Sequence, residues 1–183
     1  QNAYTNGTVV NAGTLRLDVS DALHVTGALD LNGGELLLGA TSQRVGLFTL
    51  DGGSIGGGTL IASDYLVKAG TINSVLDGAG SLVKRGSGTV TLQTGNTYTG
   101  GTMLEEGVLL LANNNALSGT SAVTVSGGEL RLGVTTQDLG VLTLAGGSIN
   151  GGTVAGSRYE LLAGTVNGVL AGGIASAEKN GSG

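Results

Sequence analysis

Apolar and polar residues alternate along much of the chain, in short runs that are interrupted by glycine. Residues 28–31 and 35–38 show this pattern on either side of Gly33 and Gly34. Alternation with a period of two is typical of β-strands that bury one face. Glycine suits the corners between such strands, because it tolerates positive φ and close approach of backbone. The pattern therefore predicts strands joined by glycine corners.

A unit of roughly 19 residues recurs along the chain, with one glycine at the same position in each unit. These corner glycines are Gly13, Gly34, Gly53, Gly70, Gly88, Gly107, Gly128, Gly147 and Gly164. The residue two positions after each is aliphatic: Leu15, Leu36, Ile55, Ile72, Val90, Leu109, Leu130, Ile149 and Val166. The residue three positions before is also aliphatic in eight units: Val10, Leu31, Leu50, Val67, Leu104, Val125, Leu144 and Leu161. Before Gly88 this position holds Arg85, and we predict that Val83 points inward there.

A longer period of 94 residues contains the shorter one. Residues 4–8 return as residues 98–102, and about half of the positions between Tyr4 and Gly78 are identical in the second copy. We therefore interpret residues 1–183 as a single continuous segment. Repeat one spans residues 4–96, and repeat two spans residues 97–183.

The two periods together predict a solenoid. A unit this short cannot bury its own apolar side, but units that stack on one another can. Strands of successive coils would pair in parallel, and about ten coils would form a rod roughly 45–50 Å long. A leucine-rich repeat is disfavoured, because its Leu-x-x-Leu-x-Leu pattern is missing and the third side of each unit is rich in Gly and Thr. The predicted fold is an all-β parallel β-helix.

One stretch carries a specific motif. Residues 86–102 read Gly-Ser-Gly-Thr-Val-Thr-Leu-Gln-Thr-Gly-Asn-Thr-Tyr-Thr-Gly-Gly-Thr and continue into the strand-like residues 106–111. This run resembles the autotransporter-associated β-strand repeat. Residues 4–17 resemble the second half of that repeat, and residues 179–183 resemble the opening of a third copy.

The resemblance implies a right-handed β-helical passenger of a bacterial autotransporter. Such a passenger is carried to the cell surface through an outer-membrane β-barrel, which is absent from this sequence. It also implies a role for the repeat in secretion and folding of the passenger. The family has no catalytic motif to transfer.

Composition supports a structured chain of strands joined by glycine turns. The chain has 37 Gly, no Pro and no Cys, and 40% of its residues are hydrophobic against 11% charged. This composition excludes collagen and disfavours disorder. A net charge of −5 without a Lys/Arg run argues against a nucleic-acid or anionic-membrane surface. The lack of Cys removes disulfides and thiol chemistry, and Gln1 begins within the repeat pattern, without a signal peptide.

Carboxylates are the first candidates for chemistry, since glycoside cleavage needs two carboxyl groups ~5–10 Å apart. Asp51, Asp64 and Asp77 are spaced by 13 residues, which differs from the coil length, so we expect them on different sides of the rod as solvated turn residues. Repeat two holds Ala145, Arg158 and Ala171 at those positions. The acidic residues near corners, which we expect to face outward, are Glu35, Glu105, Glu106 and Glu129.

The remaining candidates also favour structural roles. His24 is the sole histidine and has no recognisable catalytic partner. Residues 52–58 are glycine-rich but lack the Lys-Ser/Thr ending of a phosphate loop. We interpret residues 113–115 as a polar turn, and we expect structural packing for the four tyrosines, Tyr4, Tyr65, Tyr98 and Tyr159. We therefore predict no catalytic, cofactor or metal site and no small-molecule substrate.

The sequence favours a structural stalk at the bacterial cell surface, which supports folding during secretion and displays another part of the protein. One alternative is an extracellular fibre, built by end-to-end stacking of identical chains through open strand edges. Another is direct adhesion through flat polar faces that include Thr89, Thr91, Thr124 and Thr143. The predicted partners are neighbouring coils and the translocator barrel.

Overall fold

The computed structural model is an all-β parallel solenoid and describes residues 2, 4 and 6–172, together with the backbone of residues 175–177. No helix capable of crossing a membrane occurs in this described part. Thirteen strands form one sheet. They are β1 (Thr8–Val10), β2 (Thr14–Arg16), β3 (Leu29–Leu31), β4 (Glu35–Asp77), β5 (Leu82–Lys84), β6 (Thr89–Leu92), β7 (Thr102–Leu104), β8 (Val108–Leu111), β9 (Val123–Val125), β10 (Glu129–Leu144), β11 (Ser148–Leu161), β12 (Thr165–Ala171) and β13 (Ala175–Ala177).

Each coil presents three sides. The first face stacks β1, β3, part of β4, β5, β7, β9, the later parts of β10 and β11, and β13. The second face stacks β2, the start of β4, β6, β8 and the early parts of β10, β11 and β12. The third side connects the second face to the first face of the next coil. Strands β4, β10 and β11 run around corners and contribute to more than one side.

The solenoid has about nine turns at a spacing of about 19 residues, one turn fewer than predicted. The predicted opening of a third motif copy, residues 179–183, lies outside the described residues. At the usual spacing between paired strands, nine turns make a rod roughly 40 Å long.

The predicted inward ladders are confirmed. The aliphatic residues two positions after and three positions before the corner glycines are all buried except Leu15, Leu161 and Val166, which are half-buried. These three lie in coils near the ends of the described stack. The strand register between β4 and β6 is shifted by two residues from the one that the corner glycines predict. Ile72 pairs with Leu92, whereas the glycine spacing aligns it with Val90. The side-chain parity is unchanged, and all three of those residues are buried.

The prediction that Val83 points inward is wrong. Lys84 takes the inward place, where it pairs with Val67 of the preceding coil and Leu104 of the following one. Its side chain is fully buried, whereas Val83 is half-buried on the outer side. A lysine can occupy an apolar ladder because its methylene stem packs like an aliphatic residue.

The corner beside Lys84 explains why a cation is needed there. Lys84 Nζ donates to the carbonyl oxygens of Arg85 (2.9 Å), Gly86 (2.6 Å) and Glu106 (3.0 Å). Burial lowers the pKa of Lys84, and the negative charge of Glu106 partly offsets this shift. The ammonium group therefore satisfies carbonyls of two successive coils at a corner with extra length.

Replacing Lys84 by methionine should lower the free energy of unfolding by about 1–3 kcal/mol, because three corner carbonyls lose a charged donor while the stem volume is kept. Urea unfolding would measure the change. Val83→Met is the matched control on the outer side of the same strand, and a surface change of this kind should stay within about 0.5 kcal/mol. A stability for Lys84→Met equal to that of the unaltered chain would show that the ammonium group contributes nothing.

Candidate functional site

The three evenly spaced aspartates each contact the next coil. The pairs are Asp51 with Lys68 (2.7 Å), Asp64 with Ser81 (2.7 Å) and Asp77 with Thr97 (2.7 Å). Partners are separated by 17 or 20 residues, which is one coil. Asp51 follows the first face, Asp64 precedes it and Asp77 ends β4 on the third side. The structure thus makes them contacts between coils and does not bring them into one group.

The charged corner residues are also engaged with neighbours. Arg85 and Glu105, one coil apart, form an ion pair at 2.7 Å, and hydrogen bonding to Arg85 lowers the pKa of Glu105. In repeat two, Arg158 pairs with Glu160 at 2.8 Å. Such exposed pairs contribute little to stability, because solvent screens their charges. The Arg85–Glu105 pair joins two successive coils, whereas the Arg158–Glu160 pair lies within β11.

Glu129 and Glu35 lie at equivalent places on the second face but differ in their surroundings. Glu129 accepts hydrogen bonds from Arg131 (2.6 and 2.8 Å) and Asn150 (2.8 Å), and these bonds lower its pKa. At the corresponding positions beside Glu35, repeat one has Leu37 and Gly56, which carry no such donor. A groove of about 400 Å³ opens at this point in repeat one and is lined by Glu35, Leu37 and Gly56, among others.

Among the other sequence candidates, His24 lies outside this groove, whereas residues 54–57 of the glycine-rich run line it. His24 is half-buried in the turn before the first face, with its Nδ1 3.2 Å from Thr26 Oγ1. Residues 52–58 lie within β4, where Gly53, Gly57 and Gly58 have positive φ, and no helix follows them as a phosphate loop requires. Within the residues that the structure describes, no group of three or more His, Cys, Asp or Glu side chains could hold a metal ion.

The asparagines at 113–115 form the predicted turn and contact adjacent coils. Asn114 and Asn115 accept from the backbone N–H groups of Thr136 (2.9 Å) and Asp138 (2.8 Å). Asn115 has a positive φ of 51°, a conformation that asparagine tolerates in turns. All three side chains are exposed, yet they help to hold the third side of consecutive coils together.

The four tyrosines form two matched pairs, as predicted from the long period. The Tyr98 hydroxyl lies 2.6 Å from Thr102 Oγ1, and the Tyr4 hydroxyl lies 2.7 Å from Thr8 Oγ1. Tyr98 is fully buried, whereas Tyr4 is exposed in the first coil. The burial of Tyr98 raises its pKa. Its packing role within the motif is thus visible in the structure.

Tyr65 and Tyr159 form the second pair, and each closes a tight turn with its hydroxyl. The Tyr65 hydroxyl accepts from the N–H of Ala62 (3.0 Å) and lies 2.6 Å from the Asp77 carbonyl. Tyr159 accepts from the N–H of Gly156 (2.6 Å) in the same way. Burial raises the pKa of Tyr65 to about 12, so its proton stays available for donation.

Three buried amide side chains were missed by the sequence reasoning. Gln43 and Gln137, 94 residues apart, point into the third side and are fully buried. The Gln43 amide accepts from the N–H of Ala22 (2.8 Å) and donates to the carbonyl of Val19 (2.6 Å). A repeated polar residue among inward-facing positions was the available signal, but the irregular third side concealed its orientation.

Asn96 is the third buried amide and lies within the motif. It accepts from the N–H of Leu76 (2.8 Å) and donates to the carbonyl of Ala116 (2.6 Å), and each partner is 20 residues away. One side chain therefore bridges three successive coils. In chemical terms, the recurring polar residues of this chain serve mainly to connect one coil to the next.

Comparison with known families agrees with this reading of the motif. The passenger-associated-transport-repeat model matches residues 1–17, 82–111 and 106–132. The second match contains Lys84, Asn96 and Tyr98, three of the buried residues described above. The third match includes coils that the sequence reasoning treated only as neighbours of the motif.

A relative points in the same direction. The chain is 38% identical over 122 residues, or 65% of its length, to the adhesin BmaC autotransporter of Brucella suis biovar 1 (strain 1330). The chain spans only about 3% of the length of that protein. No solved structure matches the chain. Residues 1–17 and 82–132 of this parallel solenoid therefore carry passenger-associated-transport-repeats, and the chain is similar to an autotransporter adhesin.

Proposed function

We propose that the chain is a structural stalk segment of an autotransporter-type surface protein, and not an enzyme. The observation that carries the proposal is the continuous parallel stack, in which inward aliphatic ladders and outer polar contacts both run from coil to coil. Such a rod can hold another part of a protein away from a surface. In this proposal, residues 1–183 act as one continuous segment at the bacterial cell surface.

The stacking also suits folding during secretion. The contacts made by Asp51, Asp64 and Asn96 join residues one coil apart, about 17–20 positions along the chain. A coil can therefore stack on the adjacent coil that has already emerged from a translocator, and no contact with residues far along the chain is required. The absence of cysteine fits this route, since no disulfide can form early and block passage.

Self-assembly into a fibre is the second candidate, because the parallel strand pairing that joins one coil to the next could also join coils of two copies. Adhesion is the third candidate, because Thr124 and Thr143 pair in register on the first face and continue a row of outward residues.

Sedimentation at several protein concentrations, combined with negative-stain electron microscopy, separates these functions. A stalk segment should remain a short monomeric rod at all concentrations. Filaments that lengthen with concentration would favour the fibre and contradict the stalk. Lys substitutions at Val9 and Thr14 would then serve as the matched test, because charges on β1 and its neighbour β2 should block edge pairing without entering the core.

A further inference from the structure

The groove on the second face of repeat one lies at a position where repeat two carries a larger side chain. Gly56 occupies the position that Asn150 holds in repeat two, 94 residues later. Asn150 donates to Glu129 at 2.8 Å and accepts from Asn167 at 2.8 Å. Repeat two thus covers this part of its surface with its own hydrogen bonds.

Repeat one keeps the polar groups but lacks the bridge. Glu35 and Asn73, which correspond to Glu129 and Asn167, line the groove together with Gln93. With glycine at position 56, no amide connects the carboxylate of Glu35 to the amide of Asn73. The space that Asn150 fills in repeat two is open in repeat one.

The lining defines the chemistry of an occupant. The Glu35 carboxylate accepts hydrogen bonds, the amides of Asn73 and Gln93 both donate and accept, and Leu37 supplies an apolar surface. Arg16 lies at the rim, but its guanidinium already contacts Asp18 at 2.7 Å. A carboxylate inside the groove and an occupied guanidinium beside it disfavour an anion. The volume of about 400 Å³ falls in the range of small-molecule sites, ~300–1,000 Å³.

We propose that this groove binds one neutral sugar unit of a glycan. A sugar ring offers hydroxyl groups that can donate to Glu35 and exchange hydrogen bonds with Asn73 and Gln93, and a C–H face that can lie against Leu37. Hydrogen bonds from hydroxyls to a carboxylate are stronger than those between neutral groups. This binding site is separate from the stalk function, and either can hold without the other.

The test is a titration of the isotope-labelled chain with four separate probes, the methyl glycosides of glucose, mannose, galactose and N-acetylglucosamine, followed by amide NMR shifts. At least one glycoside should shift the amides of residues 54–57 and 71–73, with a Kd in the millimolar range. Gly56→Asn should weaken that binding at least tenfold, because it restores the bridge of repeat two. A Cβ at Gly56 would meet only Leu37 Cδ2, at 3.6 Å, an ordinary contact that the fold can accept.

Val134→Asn is the control, since it adds the same side chain at a position that is 98% exposed and does not line the groove. It should bind the glycoside as the unaltered chain does. Glu35→Gln, which keeps the shape and removes the charge, should weaken binding severalfold even if Gly56→Asn fails to fold. The proposal would be overturned if none of the four probes shifted the amides at the groove. It would also be overturned if the folded Gly56→Asn and Glu35→Gln variants bound the glycoside as tightly as the unaltered chain.

Discussion

Gly128→Ala should lower the free energy of unfolding by about 3–5 kcal/mol, because strain and a backbone clash add at this corner. Gly128 has a φ of +68°, and a Cβ built there would lie 2.4 Å from the carbonyl oxygen of Gly107 in the coil below. The other nearest atoms, at 2.9 Å, are also backbone and cannot rotate away. Relief would require the two coils to separate. Urea unfolding of the variant and the unaltered chain would measure the loss.

Gly133→Ala separates the two causes within the same coil. Gly133 also has a positive φ, +59°, but a Cβ there would meet nothing within 4 Å. Its substitution should cost only the left-handed backbone strain, about 1–2 kcal/mol. Equal losses for the two variants would show that close stacking of corner backbones is not what makes glycine necessary at position 128.

Asn96→Leu should lower the free energy of unfolding by about 2–4 kcal/mol, because it leaves two buried backbone groups without a partner. The N–H of Leu76 and the carbonyl of Ala116 both depend on this amide, and Asn96 itself is only 6% exposed. Leucine has a similar volume, so the loss would reflect hydrogen bonding more than packing. Thermal or urea unfolding would give the change.

The matched variant is Asn113→Leu, on the same side of the next coil. The Asn113 amide is exposed and makes one long bond, at 3.3 Å, to the carbonyl of Gln93. Its substitution should change stability by no more than about 0.5 kcal/mol. If Asn113→Leu were as damaging as Asn96→Leu, the bridge across three coils would not be the cause of the effect.

The inward ladders could be predicted because two constraints agree at each corner. Period-two alternation places Leu36 and Ile55 on one face, and the glycine before each fixes the start of that face. The nearest-neighbour stacking then follows from the length of the unit, which cannot bury its apolar side alone. The fold was therefore encoded in a short and regular pattern.

The sequence did not reveal which polar side chains are buried, because their partners are backbone groups. Lys84 was not expected inside, because a charged group is seldom buried unless it is satisfied. Its partners are backbone carbonyls of the corner, which a sequence does not display. Gln43 and Gln137 escaped notice for the same reason, since their partners are backbone groups in other coils.

The groove depends on a different kind of information. Gly56 looks like one more glycine in a glycine-rich run, and only the register of the second face shows that it leaves Glu35 beside open space. The aspartates illustrate the reverse case. Asp51 and Asp77 look free in the sequence, but the stacking of coils brings Lys68 and Thr97 to them. Side-chain neighbours across coils are set by exact register, which a repeat pattern gives only within a residue or two.

The most direct test of the stacked-coil account is a pair of distances between spin labels along the first face. Leu66, Val83, Met103, Thr124, Thr143 and Glu160 are successive register partners on its outer side. Nitroxide labels at 66 and 143 would lie four coil steps apart, about 19 Å, and labels at 66 and 160 would lie five steps apart, about 24 Å. Pulsed electron resonance should give two narrow distributions that differ by about one strand spacing, ~5 Å. Distances that are broad, or that fail to increase from the first pair to the second, would contradict a parallel stack of coils.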